Sequence, residues 1–407
     1  MVISDIMNSK TFTPTTQYLL DFLDSHISHK LEGFKKTELS IESKKIITDL
    51  FNKIKLANEN FILPTPSNTT NQHGNDYDLI DENVKIHIEA SNFIGKTREF
   101  HIKGHHIRVN IFSETDIPDI YFKKIYIWLY TALEFSKRKC SQNLSIYIYL
   151  TDLEKKVPTQ HHSINRINVN TGFTFPCRSK NEINIYRKEE WFKVLIHETF
   201  HNLGLDFSHH DCNHIDNKVL ELFPVQSEVR LCETYCEMWA EIINVMLIVF
   251  NSTRNHENID FLLKQTEKLL DWERVFSLFQ CAKILKHFGI SYAELYERTD
   301  KAYIIRKSRY KENTPVLSYY IIKSFLMYNV NDFLEWCVSN NGISIRFHDS
   351  DINRNLEKYF LLIKQNYSDK TFIDCIDQLC DWFIKQEKTK RSIDIEFKTL
   401  RMSLFET

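Results

Sequence analysis

The chain has 407 residues, with 52 basic and 54 acidic side chains and a formal net charge of -2. That length admits two or three domains or one large lobed enzyme, and the balanced charge leaves no global basic field for nucleic acid. Only eight glycines occur, against a typical share of ~7%; neither GxGxxG nor a Walker-type GxxxxGK motif is present, which argues against glycine-rich phosphate loops.

Residues 15–60 carry helical spacing, through Tyr18, Leu19, Phe22 and Leu23 and then Ile46, Ile47, Leu50, Phe51 and Ile54. They predict a helical N-terminal module, or an arm laid on the next domain, over 1–75. The run PTPSNTTNQHG, Pro64 to Gly74, is the clearest linker. From about 78 the pattern changes. Val84–Ile88 and Ile107–Phe112 alternate and predict strands, 119–139 has helical period, and Leu144–Leu150 predicts a further strand. Asn168–Phe175 and Ile183–Tyr186 predict two more strands around a turn at Pro176. The expected class is α+β, a mixed-sheet lobe above a cleft, with the core over 76–330. Beyond 215 the spacing is helical over 226–250, 257–287, 291–309, 315–328, 331–339, 354–366 and 370–387. Residues 331–407 are expected to form a helical extension packed on the core. Asn341-Gly342 is read as a tight turn between short strands.

Nine cysteines are scattered through the chain, and the opening MVISDIMNSKTF lacks a basic segment followed by an apolar one. Both predict reduced thiols and a cytoplasmic, intracellular protein. The sequon at Asn68 is then incidental. The longest apolar run, Ile242–Phe250, is broken by Asn244 and too short to span a bilayer, so no membrane segment is expected.

The chemistry concentrates in VLIHETFHNLGLDFS, Val194 to Ser208. His197 and His201 stand one helical turn apart, so both imidazoles leave the same face and can close on one zinc ion. Glu198, beside the first, can take a proton from a water that the metal has acidified. Trp191, Val194, Leu195, Thr199 and Leu203 recur at helical spacing, and Gly204 stands where such a helix stops. A hydrolytic zinc site has three protein ligands and an open position. The downstream run CETYCEMWAEIIN places Glu233, Glu237 and Glu241 on one stripe of an otherwise apolar helix. A solvated acidic face is the bland reading. A ligand followed by a carboxylate that orients His197 is preferred.

HExxH followed by a helical ExxxE resembles the glutamate zincins, the group that contains thermolysin and neprilysin. The resemblance implies a zincin-like catalytic domain. It also implies a first carboxylate on zinc, with the one four residues later supporting a histidine. Either Glu233 binds with Glu237 behind it, or Glu237 binds with Glu241 behind it; the first is favoured. A competing resemblance is to the metzincins, HExxHxxGxxH, but Phe207 stands where their third histidine belongs. Asp206, His209, His210, Asp211 or His214 could replace it only after a loop shift, and the cluster SHHDCNHID is read as a polar loop near the cleft. NTGFT, the motif region, ETYCEMWAEIIN, VLSYYIIKS and LRMSL together resemble uncharacterised metalloprotease-like proteins of large cytoplasmic DNA viruses, over about 80–407.

By analogy with zincins, Asn168–Phe175 is the strand on which a substrate backbone would pair. Tyr319, ahead of Tyr320, is the candidate donor to a tetrahedral oxyanion. Arg166 and Arg178 are candidates for reading a substrate carboxylate. Cys232/Cys236 and Cys375/Cys380 are read as small buried hydrophobes, and the basic run Lys385–Arg391 as a solvated helix end. The expected activity is zinc-dependent hydrolysis of a peptide or protein substrate. The alternatives are a non-catalytic zincin-fold scaffold, and a zinc hydrolase acting on an isopeptide or side-chain amide.

Overall fold

A computed structural model describes residues 12–67, 73–137, 139–159, 161–387 and 395–407. The helix α1, Pro14–His26, starts on Thr13, whose hydroxyl accepts from the Thr16 amide. Ser40 starts α2, Ile41–Glu59, in the same way and leaves Ile46, Ile47, Leu50, Phe51 and Ile54 buried on one face. After α3, Glu82–Ala90, come the strands β1, Ile94–Ile102, and β2, His105–Ser113. The helix α4, Asp119–Ala132, leads to β3, Asn143–Tyr149. A single turn α5, Arg166–Val169, precedes β4, Gly172–Thr174, and β5, Lys180–Ile185. The sheet order is β1-β2-β3-β5-β4, with β3 parallel to both of its neighbours and the outer pairs antiparallel. The motif helix α6, Trp191–Asn202, follows directly.

The remainder is helical: α7, Asn213–Leu222; α8, Leu231–Ser252; α9, Ile259–Phe288; and α10, Asp300–Arg309. A wide π-helical segment, Leu317–Ile322, runs into α11, Lys323–Tyr328. Then come α12, Val330–Asn341, α13, Ile352–Asn366, α14, Lys370–Glu387, and α15, Ile395–Lys398. A mixed-sheet lobe with the motif helix and a mainly helical C-terminal lobe is the expected α+β architecture. One apolar cluster extends from Leu19 to Phe405, and a smaller one joins Val84 and Ile88 to Tyr77, Tyr149 and Tyr186. Among the described residues no helix is long and apolar enough to cross a membrane.

Four local expectations are corrected. Val84–Ile88 is helical, not a strand: Val84 and Ile88, four apart, are buried, while Ile86 between them is 57% exposed. Asp81 caps that helix by accepting from the Asn83 amide. Asn168–Phe175 is a strand only over Gly172–Thr174, because Asn165 and Asn168 close a reciprocal capping box that turns the chain first. Asn341-Gly342 ends α12, and Gly342 is left-handed at φ +70°, so no hairpin forms. Cys140 and Cys177 form a disulfide, whereas all thiols were expected to be free. The parallel register pairs Asn143 with Lys180, and the same offset three residues earlier sets Cys140 opposite Cys177. The other seven cysteines are free. Of the expected linker, residues 68–72, with the Asn68 sequon, lie outside the described residues, as do 388–391 of the basic run.

Candidate metal centre

The motif helix is almost wholly buried, which its sequence of Trp191, Val194, Leu195, Ile196 and Phe200 requires. It begins at Glu190, a left-handed residue at φ 58° with a buried side chain. That carboxylate accepts from Lys155 Nζ at 2.6 Å and from the amides of Met402 and Ser403 at 3.0 and 2.7 Å. The helix stops at Gly204, left-handed at φ +64° and pressed against the disulfide; a Cβ there would stand 3.1 Å from Cys140 Sγ. Beyond this turn Asp206 folds back, and its Oδ2 lies 2.7 Å from Nδ1 of His201.

Against this helix packs α8, whose acidic stripe is enclosed rather than solvated: Glu237 and Glu241 are buried and Glu233 is half-buried. Each carboxylate has a cationic or imidazole partner, and His197 is shared by two of them. Glu241 accepts from Lys323 at 2.7 Å. Glu237 takes Lys193 on Oε1, and its Oε2 lies 2.9 Å from Nδ1 of His197. Glu233 Oε2 lies 3.1 Å from Nε2 of His197 and 3.4 Å from Nε2 of His201. The two Nε2 atoms are 3.3 Å apart.

His197, His201 and Glu233 therefore present three donor atoms as a triangle with sides of 3.1, 3.3 and 3.4 Å. Ligands about 2.0–2.2 Å from a tetrahedral ion stand roughly 3.3–3.5 Å apart, so one cation fits this triangle. Each imidazole has a carboxylate on Nδ1, which fixes the proton there and turns an Nε2 lone pair inward. Two such lone pairs facing each other call for a cation between them. The arrangement matches that of an HExxH-type zincin.

The same carboxylates favour the charged form of the imidazoles. Burial opposes charging of His197, but hydrogen bonds to Glu233 and Glu237 lift its pKa to about 9. Burial likewise opposes ionisation of Glu233, yet His201 and His197 hold it well below the usual carboxylate range. Glu198, 8% exposed, points into a small cleft that it shares with Thr171, Gly172, His197 and Tyr319. Burial raises its pKa, while the two histidines pull the other way.

The fourth element of the site is the π-helical segment, a form common at functional positions. Its Ser318 is tied to the start of α8 through the Arg230 amide and the Thr234 hydroxyl. The wide turn sends consecutive tyrosines apart. Tyr320 donates to the Leu400 carbonyl, whereas Tyr319 donates to Glu233 Oε2 at 2.9 Å. Burial and the Glu233 carboxylate keep the Tyr319 phenol protonated.

No family model matches the chain, and no solved structure matches it. An uncharacterised protein of Acanthamoeba polyphaga mimivirus is 25% identical over 245 residues. The aligned stretch covers 58% of this chain and 56% of that protein, so the chain spans about half the length of the curated relative it matches. The similarity is to a viral protein and carries no activity with it.

The structure thus brings together His197, Glu198, His201, Glu233, Glu237 and Tyr319. Glu233 faces the Nε2 atoms and Glu237 lies behind His197. Phe207 is fully buried against Phe347, Tyr235 and Tyr359, so the position of the missing histidine belongs to the core. Arg166 and Arg178 are exposed, and the Arg178 guanidinium stacks 3.6 Å over Phe175. Cys232 and Cys236 are buried, as expected of small hydrophobes, and Cys236 Sγ lies 3.5 Å from Asp206. Sequence reasoning missed Lys193, Lys323 and Glu190. Lys193 lies four residues before His197 on a helix that is otherwise apolar there, which is the one local signal of a buried counter-charge.

Proposed function

We propose that this protein is a zinc-dependent hydrolase of peptide bonds. The observation that carries the proposal is the donor triangle of His197, His201 and Glu233, with Glu198 in the cleft that His197 lines. In this reading those three residues hold zinc, because two imidazoles and one carboxylate suit that borderline ion and leave a position open. When bound, zinc supplies the Lewis acidity that brings a water into the neutral titration range and polarises the substrate carbonyl.

The chain's own groups do the rest. Glu198 accepts the water's proton on its carboxylate and returns it to the leaving amine. Its raised pKa suits both halves of that task. Tyr319 keeps its proton and can donate it as a hydrogen bond to the oxygen on which charge develops. Glu237 and Asp206 hold the Nδ1 protons of His197 and His201, and so their orientation. The strand β4, with β5 as its one neighbour among the described residues, is the sheet edge on which an extended peptide could pair.

The test is peptide-library cleavage by the wild-type chain and by Glu198→Gln at equal zinc content. Cleavage by the wild type alone supports the reading. Indistinguishable behaviour of the two would leave a binding protein.

A further inference from the structure

The loop after the motif helix carries two histidines that the site above does not use. His209 and His210 lie side by side with their rings tilted, centroids 4.2 Å apart and planes at 44°. Both turn Nε2 toward Oδ2 of Asp349, which sits between α12 and α13, at 3.7 and 3.5 Å. These donor atoms all lie within 4.8 Å of one another. Ligands of a tetrahedral zinc ion stand roughly 3.3–3.5 Å apart, so little movement separates this cluster from a coordinating one.

A cation already occupies the position. Lys137 Nζ contacts Asp349 Oδ2 and lies 3.0 Å from Nε2 of His209. An ammonium can only donate, so Nε2 of His209 must offer it a lone pair. Nε2 of His210 is buried and makes no hydrogen bond, an unmet demand in a polar pocket. Arg346 engages the other oxygen of Asp349, at 3.4 Å, and leaves Oδ2 to the cluster.

We propose that His209, His210 and Asp349 form a second divalent-metal site, which the ammonium of Lys137 fills when no ion is bound. Two imidazoles and one carboxylate select a zinc-like ion over calcium or magnesium. All four side chains are between 17% and 29% exposed, so an ion can enter and Lys137 can swing into solvent with its charge. The ion would tie the 208–211 loop to the segment before α13. That loop continues directly from Asp206, which braces His201, so occupancy of the second site would stiffen the first.

Zinc content of the full chain distinguishes the two sites. The variant His197→Ala/His201→Ala is expected to keep one zinc ion after equilibration with zinc and desalting. Adding His209→Gln/His210→Gln should remove it. Lys137→Ala in the first background should hold zinc more tightly in chelator competition, because the competing charge is gone. Circular dichroism checks that each variant folds. If the His197/His201 variant does not fold, the same question is put to the wild type, where His209→Gln/His210→Gln should lower zinc from two ions per chain to one. Zinc absent from the His197/His201 variant, zinc unchanged by the His209/His210 replacements, or no tightening with Lys137→Ala would overturn the proposal. Calcium retained as well as zinc would equally overturn it.

Discussion

His197 and Glu237 meet at 2.9 Å on the side of the imidazole away from Glu233, one turn along the same helix. A single rigid element thus holds the ring from both of its nitrogens. Swapping the roles of the two carboxylates would require α8 to rotate against α6, which their shared core forbids.

This relationship separates the two glutamates experimentally. Glu233→Ala is expected to lose stoichiometric zinc. Glu237→Gln, which keeps a hydrogen-bonding group beside His197, should retain zinc with affinity lowered about 10–100-fold. Competition with a chromogenic chelator reads both. Full zinc affinity in Glu233→Ala would remove that residue from the ligand set.

Tyr319→Phe deletes only the hydroxyl that reaches Glu233. If that hydroxyl serves the developing oxyanion, kcat should fall about 10²–10³-fold at little change in KM and unchanged zinc. A loss of zinc instead would assign it to holding Glu233.

The metal-free centre stores protons. With His197 raised from 6.5 to about 9, binding of zinc near neutral pH must displace a proton from it. Calorimetric enthalpies should therefore depend on the ionisation enthalpy of the buffer, and affinity should climb steadily as pH rises toward 9. The stability sign follows from linkage. A raised imidazole pKa contributes stability that is whole below 6.5 and is lost as pH rises through 9. Chelated protein should lose melting temperature across that window, and zinc-loaded protein should not. Identical profiles for the two forms would contradict this.

Glu190 carries a different load. It faces buried Lys155 at 2.6 Å and Lys193 at 3.8 Å and accepts two amides of the C-terminal segment. Glu190→Gln leaves two buried ammonium groups short of charge. It should cost about 3–5 kcal/mol in denaturant unfolding, the scale for one broken partner of a buried pair. A loss below about 1 kcal/mol, the scale of an exposed ion pair, would mean that water reaches these lysines.

Much of this site was legible because its chemistry is carried by short spacings. HETFH fixes two histidines and a glutamate on one helix, and ETYCEMWAE puts carboxylates at one-turn intervals on another. The choice between Glu233 and Glu237 was not, since it depends on the rotational phase of one helix against the other. Strand β1 was missed because inward positions include Arg98, which is 5% exposed and pairs with Asp119. Val84 and Ile88 satisfy both the period of a strand and that of a helix, and only the exposure of Ile86 separates the two. Lys193 and Lys323 could not be assigned partners, because a buried ion pair between distant segments leaves no periodic trace.

The amides of Met402 and Ser403 reach back to Glu190 across more than two hundred residues of intervening chain, the span to Met402 being 212. During synthesis α6 and α8 leave the ribosome long before those amides exist. Until then Glu190 must balance Lys155 and Lys193 without its two backbone donors, and Lys193 in turn steadies Glu237 and His197. The metal helix is thus finished late, and a nascent chain carries the whole motif while its centre is still loosely held. Chains stopped before Arg401 should accordingly bind zinc more weakly than the full chain in equilibrium dialysis, and equal binding would show that the centre stands without them.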